Sequence, residues 1–275
     1  MANMYSEALA KVVAGDLPWD ASLAGGKFIL FKGSFPTLPE TAVLAADEIM
    51  PLTLDSGVWV AKDRSISTIT LTAIGAGNTI IPNVAGIQIS PVFTAATSTV
   101  NDEATALALV INTSTYNLGV RAEAAANVVT LYAPFGTGIL FDGIAVTNTG
   151  SGGTVALSGT FTGGVTGAYG LDFERDLTTK NKLVKPTAAV WSGTCPVGIT
   201  EQVTPTFFRY ILDPGDDGLL DDTSNKAFRR IQGVVGGKNS SSADLKFPLV
   251  SPSVIAGVQL QVGSYDFTIP LAKTN

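Results

Sequence analysis

Apolar residues two positions apart dominate the far half of the chain. Phe208, Tyr210 and Leu212 form one such set, Val258, Leu260 and Val262 a second, and Tyr265, Phe267 and Ile269 a third. A period of two places each set on one face of a strand, so several strands can share a core. The opposite faces carry Arg209, Gln259, Gln261 and Asp266. Gly, Asp, Asn and Ser separate the runs, as antiparallel β-structure requires. Nearer the start, Lys27 to Lys32 predicts a strand with Phe28 and Leu30 on one face and Ile29 and Phe31 on the other. Pro36 and Pro39 break it. Glu48 to Leu54 predicts a second strand, ending in the turn Asp55-Ser56-Gly57.

Two stretches show helical spacing instead. Residues 4–14 predict a short amphipathic helix in which Met4, Leu9, Val12 and Val13 share a stripe, stopped by Gly15 and Pro18. Such a helix either plugs one end of a sheet or docks on a neighbouring subunit. The other begins at Asn101, a good N-cap. Asp102 and Glu103 suit the positive end of the helix dipole, and Leu107, Val110 and Ile111 supply a buried stripe.

Between about Ser65 and Thr166 the charge nearly vanishes and Gly, Thr, Ala and Ser dominate. Strand-like runs lie at 68–74, 87–93, 119–124, 128–132, 139–147 and 154–161, and the residues from Glu123 to Asn127 join two of them as a hairpin would. This stretch predicts an inserted domain, 65–166, carried by a discontinuous host of 1–64 plus 167–275. The glycines at 152–153 and 163–167 are where it rejoins the host. The expected fold is mainly β: an antiparallel β-sandwich host with a short N-terminal helix, and an inserted small β-rich domain (Ig-like or α+β) containing one helix.

Composition narrows the chemistry. The 275 residues suffice for one large or two modest domains. The formal charge is −6 with basic residues scattered, which argues against nucleic-acid binding. No run approaches the roughly 18–20 apolar residues that cross a bilayer. The first residues lack a basic segment followed by an apolar one, so no secretory signal is expected. Cys195 is the sole cysteine and there is no histidine, which removes the commonest general base, the commonest metal ligand and the Ser-His and Cys-His pairs. No catalysis, metal or cofactor is expected.

Asp213, Asp216, Asp217, Asp221 and Asp222 crowd one loop, but the EF-hand spacing fails: Gly215 takes the third position and Ser224 the twelfth. A solvated turn is the expectation. Gly236-Gly237-Lys238 lacks the phosphate-loop pattern and a following helix. Arg209, Arg229 and Arg230 lie on or near strands expected to pair. Beside Asp216, Asp217, Asp221 and Asp222 they can fix a subunit interface through bidentate contacts; the alternative is an ordinary charged, exposed sheet face. Asn112-Thr113-Ser114 matches the glycosylation triplet, which has meaning only on a secretory route.

With the insert set aside, the order of short motifs carries a resemblance. Phe31-Lys32-Gly33 with Pro36 comes first, then a Leu-x-Leu strand and Trp191-Ser192-Gly193. Thr206-Phe207-Phe208-Arg209-Tyr210 follows, then Arg230 to Gly236 (RIQGVVG), Ala243-Asp244-Leu245 and a closing Phe267-Thr268-Ile269-Pro270. This order resembles a family of small virion structural proteins of tailed bacteriophages, over about 23–57 and 186–270. The insert and the more acidic 213–222 loop depart from its short members. The resemblance implies a non-enzymatic role in the particle, with copies of the chain and a connector, portal or capsid protein as partners. It implies a virion protein made in the host cytoplasm, in the head decoration, the neck or collar, or the tail, without saying which; the helical arm and the acidic loops favour a neck or collar ring over capsid decoration. It brings no catalytic residues. An adhesin or glycan-binding module is a further reading and would need exposed aromatic platforms, for which Trp59, Trp191 and Tyr169 are the candidates.

Overall fold

The computed structural model describes residues 4–5, 23–39, 41–115, 117–134, 136–176, 178, 182–219 and 229–268. The chain divides into two compact units, 1–61 with 167–275 and 62–166. It is mainly β, with one α-helix among the described residues. The first unit begins with β1 (Met4–Tyr5), β2 (Lys27–Phe31) and β3 (Glu48–Leu54). The second unit follows with β4 (Ile66–Ala73), β5 (Thr79–Ile80), β6 (Pro82–Val84), β7 (Ile87–Gln88) and β8 (Phe93–Thr94). Helix α1 (Val100–Thr113), β9 (Arg121–Ala125), β10 (Val128–Tyr132), β11 (Val146–Asn148) and β12 (Thr154–Leu157) complete it. The chain then returns to the first unit with β13 (Glu174–Arg175), β14 (Lys182–Val184), β15 (Trp191–Thr194) and β16 (Phe207–Ile211). Strands β17 (Arg230–Gly236), β18 (Leu245–Lys246), β19 (Gln259–Gln261) and β20 (Ser264–Thr268) close it.

The first unit is one sheet that curls back on itself. Its strand order is β13-β14-β20-β18-β17-β16-β2-β3-β15-β19, with β1 beside β17. On a flat sheet, six inter-strand steps would separate β20 from β15 by roughly 29 Å. Instead the Trp191 and Tyr265 rings lie 5.9 Å apart. Only Val262 and Gly263 join β19 to β20, and their amides reach opposite ways, to Trp191 O and Lys246 O, each at 2.8 Å. The run from Gln259 to Thr268 therefore serves one margin of the sheet through β19 and its far side through β20, between β14 and β18.

Inside the roll the alternating apolar sets meet. Phe28 packs against Trp191, Phe208, Tyr210 and Tyr265, with ring centroids 4.9–5.6 Å apart. Leu30, Met50, Leu52, Ile231, Leu245, Phe247, Leu260 and Val262 fill the remainder. The Tyr210 hydroxyl donates to Leu23 O at 2.6 Å and accepts from Gly26 N at 2.8 Å. Burial drives its pKa far above that of a free tyrosine. Gly193 of the Trp-Ser-Gly motif is required by contact: a Cβ there would stand 2.0 Å from the Pro51 carbonyl oxygen.

Two expectations for this unit change. Pairing is antiparallel except between β17 and β18, which run parallel. Asp244 turns the chain alongside β17: its carboxylate accepts from Val234 N at 2.9 Å and its own N–H donates to Val234 O at 3.0 Å. The predicted N-terminal helix begins instead as a strand, since Met4 and Tyr5 pair with Gln232 and Ile231. A strand edge offering fixed hydrogen-bond partners outcompetes a helical turn, whose nucleation is costly. The remainder of that predicted helix lies outside the described residues.

In the second unit, β12-β4-β10-β9 form a sheet. Ile69, Leu71, Val129 and Leu131 on its inner face share a core with Ala104, Leu107 and Ile111 of α1. The β9–β10 hairpin turns at Ala126-Asn127. Helix α1 starts one residue before the predicted cap, with Thr99 as N-cap. Glu103 organises the entry: its buried Oε1 accepts from Ala96 N (3.0 Å), Thr97 N (2.6 Å) and Thr97 Oγ1 (2.9 Å). The run predicted as a strand at 139–147 is a 3-10 turn at Gly138–Phe141, and strand appears only from Val146. Gly136, Gly138 and Gly143 all take left-handed backbone there, which an extended strand cannot accommodate. Asn112 blocks the β9 margin of the sheet. Its amide donates to Ala122 O and accepts from Ala122 N, both at 2.8 Å, as a neighbouring strand would.

Candidate functional site

Alternation along β16 sends Phe208 and Tyr210 into the roll and Phe207, Arg209 and Ile211 to its outer face. In register, Arg209 lies between Ile29 and Gln232, and Ile211 between Lys27 and Arg230. That outer face is covered. Ile29, Phe31, Phe207 and Ile211 pack with Phe35, Val43, Trp59 and Leu219, which the 32–47 and 213–219 loops and the stretch after β3 contribute. Arg209 and Arg230 are therefore fully buried.

The two guanidinium groups hold the covering loops to the sheet. Arg230 Nε donates to Asp216 Oδ2 at 2.9 Å and its Nη2 to Asp216 Oδ1 at 2.7 Å, a bidentate pair with neither side chain exposed. Asp216 Oδ1 also accepts from Gly218 N at 2.7 Å. Arg209 Nη1 donates to Gly218 O at 2.6 Å, and its Nη2 donates to Thr41 O. Gln232 Nε2 donates to Pro36 O at 2.9 Å, and Val43 N to Leu219 O at 2.8 Å. Next along β17, Arg229 Nε and Nη2 each lie 2.9 Å from Asp213 Oδ1.

The predicted residues thus come together, but within one chain. The contacts between Arg209, Arg229 and Arg230 and the acidic loop fasten that loop instead of offering a charged face. Asp216 is buried with Arg230. Asp217 is exposed, its Oδ1 accepting from Leu219 N at 2.8 Å. Asp221 and Asp222 lie outside the described residues. Nothing in the residue pattern marked Thr41 and Pro36 as acceptors, because carbonyl oxygens carry no residue signature. Nor did it mark Asp213 as the partner of Arg229.

A second group borders this network. Lys27 Nζ lies 4.7 Å from the centroid of the Trp59 ring, whose Nε1 donates to Gly25 O at 2.9 Å. Burial lowers the pKa of Lys27, against the upward pull of Glu48, Asp216 and Asp217. Burial raises that of Glu48, with Lys27 opposing. Both shifts make the charged forms dearer, the signature of a half-dry margin.

Among the aromatic candidates for a glycan platform, Trp191 is fully buried and Trp59 is partly covered, while Tyr169 is half exposed. Asp213 and Asp216 give their oxygens to guanidinium groups and backbone N–H, not to an open oxygen cage of the kind Ca²⁺ requires. Among the described residues, no three His, Cys, Asp or Glu side chains converge to hold a metal ion, and no helix is long and apolar enough to cross a membrane. The outward surface of the fastened 32–47 loop instead carries Leu38 and Leu44, 58% and 71% exposed. Compared with protein-family models and with curated proteins, the chain matches none of them.

Proposed function

We propose that this chain is a non-enzymatic structural protein of a tailed-phage virion, assembling with copies of itself as a neck or collar ring around the head-to-tail connector. The first unit serves as a sandwich-like body, and the second is a separate unit inserted in its sequence. One observation carries the reading. Buried Arg209, Arg230 and Gln232 hold the Thr41, Pro39 and Pro36 carbonyls of a loop that presents two bare leucines, so contact by that loop loses little conformational freedom. The ordered motifs of the phage-protein resemblance support it, because those within the described residues fall on the strands and turns of the first unit.

Two measurements test this. Light scattering on the purified chain should give a closed oligomer, and Leu38→Ser with Leu44→Ser should reduce it toward the monomer. Labelled virions should show a single ring of label below the head. Label spread over the capsid would favour decoration, and a chain absent from virions would end the reading.

A further inference from the structure

The margin of β17 that faces away from β16 contains a slot that some strand must fill. Val235 N donates to Thr206 O, on the β16 side. Val234 therefore points its N–H and C=O the other way, where Asp244 satisfies both. Gln232, two residues earlier, points the same way as Val234, and it is fully buried. Strand β18 reaches only Val235 and Gly236, so it leaves Gln232 unserved. Its partner is Met4, the first residue of β1. Without an occupant, two buried backbone groups would be orphaned.

We propose that in the assembled protein this slot takes the N-terminal arm of a second copy, each chain lending its own β1 to the next. This rests on the self-assembly reading above and names the contact that would propagate it. Leu23 is anchored in the roll, so 17 residues separate it from Tyr5, and a chain of that length spans at most roughly 60 Å, enough to join one copy to another. Exchange keeps the same ladder, Met4 to Gln232 and Tyr5 to Ile231, so it loses no pairing. Arm and slot are different surfaces of one chain. Two copies that trade arms reciprocally stop at a dimer, whereas an arm passed from each chain to the next runs head to tail and gives a ring when the rotation closes.

The test uses full chains. Met4 and Gln232 are directly opposed, at a separation that antiparallel pairing makes suitable for a disulfide. A Met4→Cys chain and a Gln232→Cys chain are mixed in equal amounts under mild oxidation, where only an interchain bond can join those positions. The native Cys195 is buried and common to both. A covalent dimer several-fold above that of either variant alone supports exchange. If the mixture gives no excess dimer and the double variant runs as an internally bonded monomer, the arm folds back on its own chain and the proposal is overturned. Because Gln232→Cys also loses the bond to Pro36, a second measurement leaves Gln232 intact. Deleting residues 1–5 should lower the assembled mass toward the monomer with tryptophan emission unchanged, and an unchanged mass overturns the proposal. An intact chain that is monomeric at every concentration sinks the self-assembly reading itself. An intact chain that assembles with only internal bonds sinks the arm exchange alone.

Discussion

Replacing Asp216 by Asn keeps the side chain's shape and its acceptor for Gly218 N, but removes the charge facing Arg230. The structure sets the scale. Two charge-assisted bonds, at 2.9 and 2.7 Å, join side chains that are both fully buried. Loss of one partner leaves a guanidinium in a dry site, which costs about 3–5 kcal/mol. The Asp216→Leu/Arg230→Met pair removes both charges and should recover most of that loss, because a buried ion pair seldom exceeds an apolar replacement in net stability. Urea unfolding followed by tryptophan emission suits the measurement. Trp19, Trp59 and Trp191 all belong to the first unit, so the signal reports that unit alone. If Asp216→Asn costs less than about 1 kcal/mol, water reaches the pair and the account of the fastened loop is wrong. A double variant no better than the single would show that the network does more than neutralise charge.

Three further outcomes are expected. Asn112→Ala should cost about 1–2 kcal/mol through two lost bonds to Ala122 and should raise light scattering on storage, because a sheet margin is uncovered; unchanged scattering would show that this edge needs no plug. Ala85 is exposed with φ 53° ahead of Gly86 at 79°, so Ala85→Asn should stabilise the second unit by up to about 1 kcal/mol in calorimetry, where no gain would contradict the strain assigned to that turn. Burial raises the Asp244 carboxyl above its unfolded value of about 3.9, against the opposing Val234 N–H. The native state thus binds the proton more tightly than the unfolded chain, and stability falls as pH rises through that window. Urea midpoints of the natural chain should therefore decline relative to Asp244→Asn as pH rises above about 4, and a constant difference would refute the assignment.

Strands built on short apolar runs bounded by turn residues were legible from sequence: β2, β3, β10 and β16 lie where those runs place them, because at least one face of each is an apolar set. The insertion's low charge and high Gly/Thr content set it apart from its surroundings, since composition changes where one core gives way to another. What could not be read was the second layer over Arg209. A residue opposite a core face ordinarily meets solvent, and only the return of the 32–47 and 213–219 loops makes that face interior. The same limit hid Asn112, whose role depends on a β-strand arriving ten residues later. At 139–147, left-handed Gly143 within the run and Gly138 just ahead of it overrode a convincing hydrophobic run.

The seam formed by Gln259–Thr268 bears on how the protein is made. Both flanks of the curled sheet wait for one segment that leaves the ribosome long after β2, so the aromatic interior stays open to water and to neighbouring nascent chains through most of synthesis. Yield on expression should then respond to shielding of the nascent chain as well as to the stability of the finished fold.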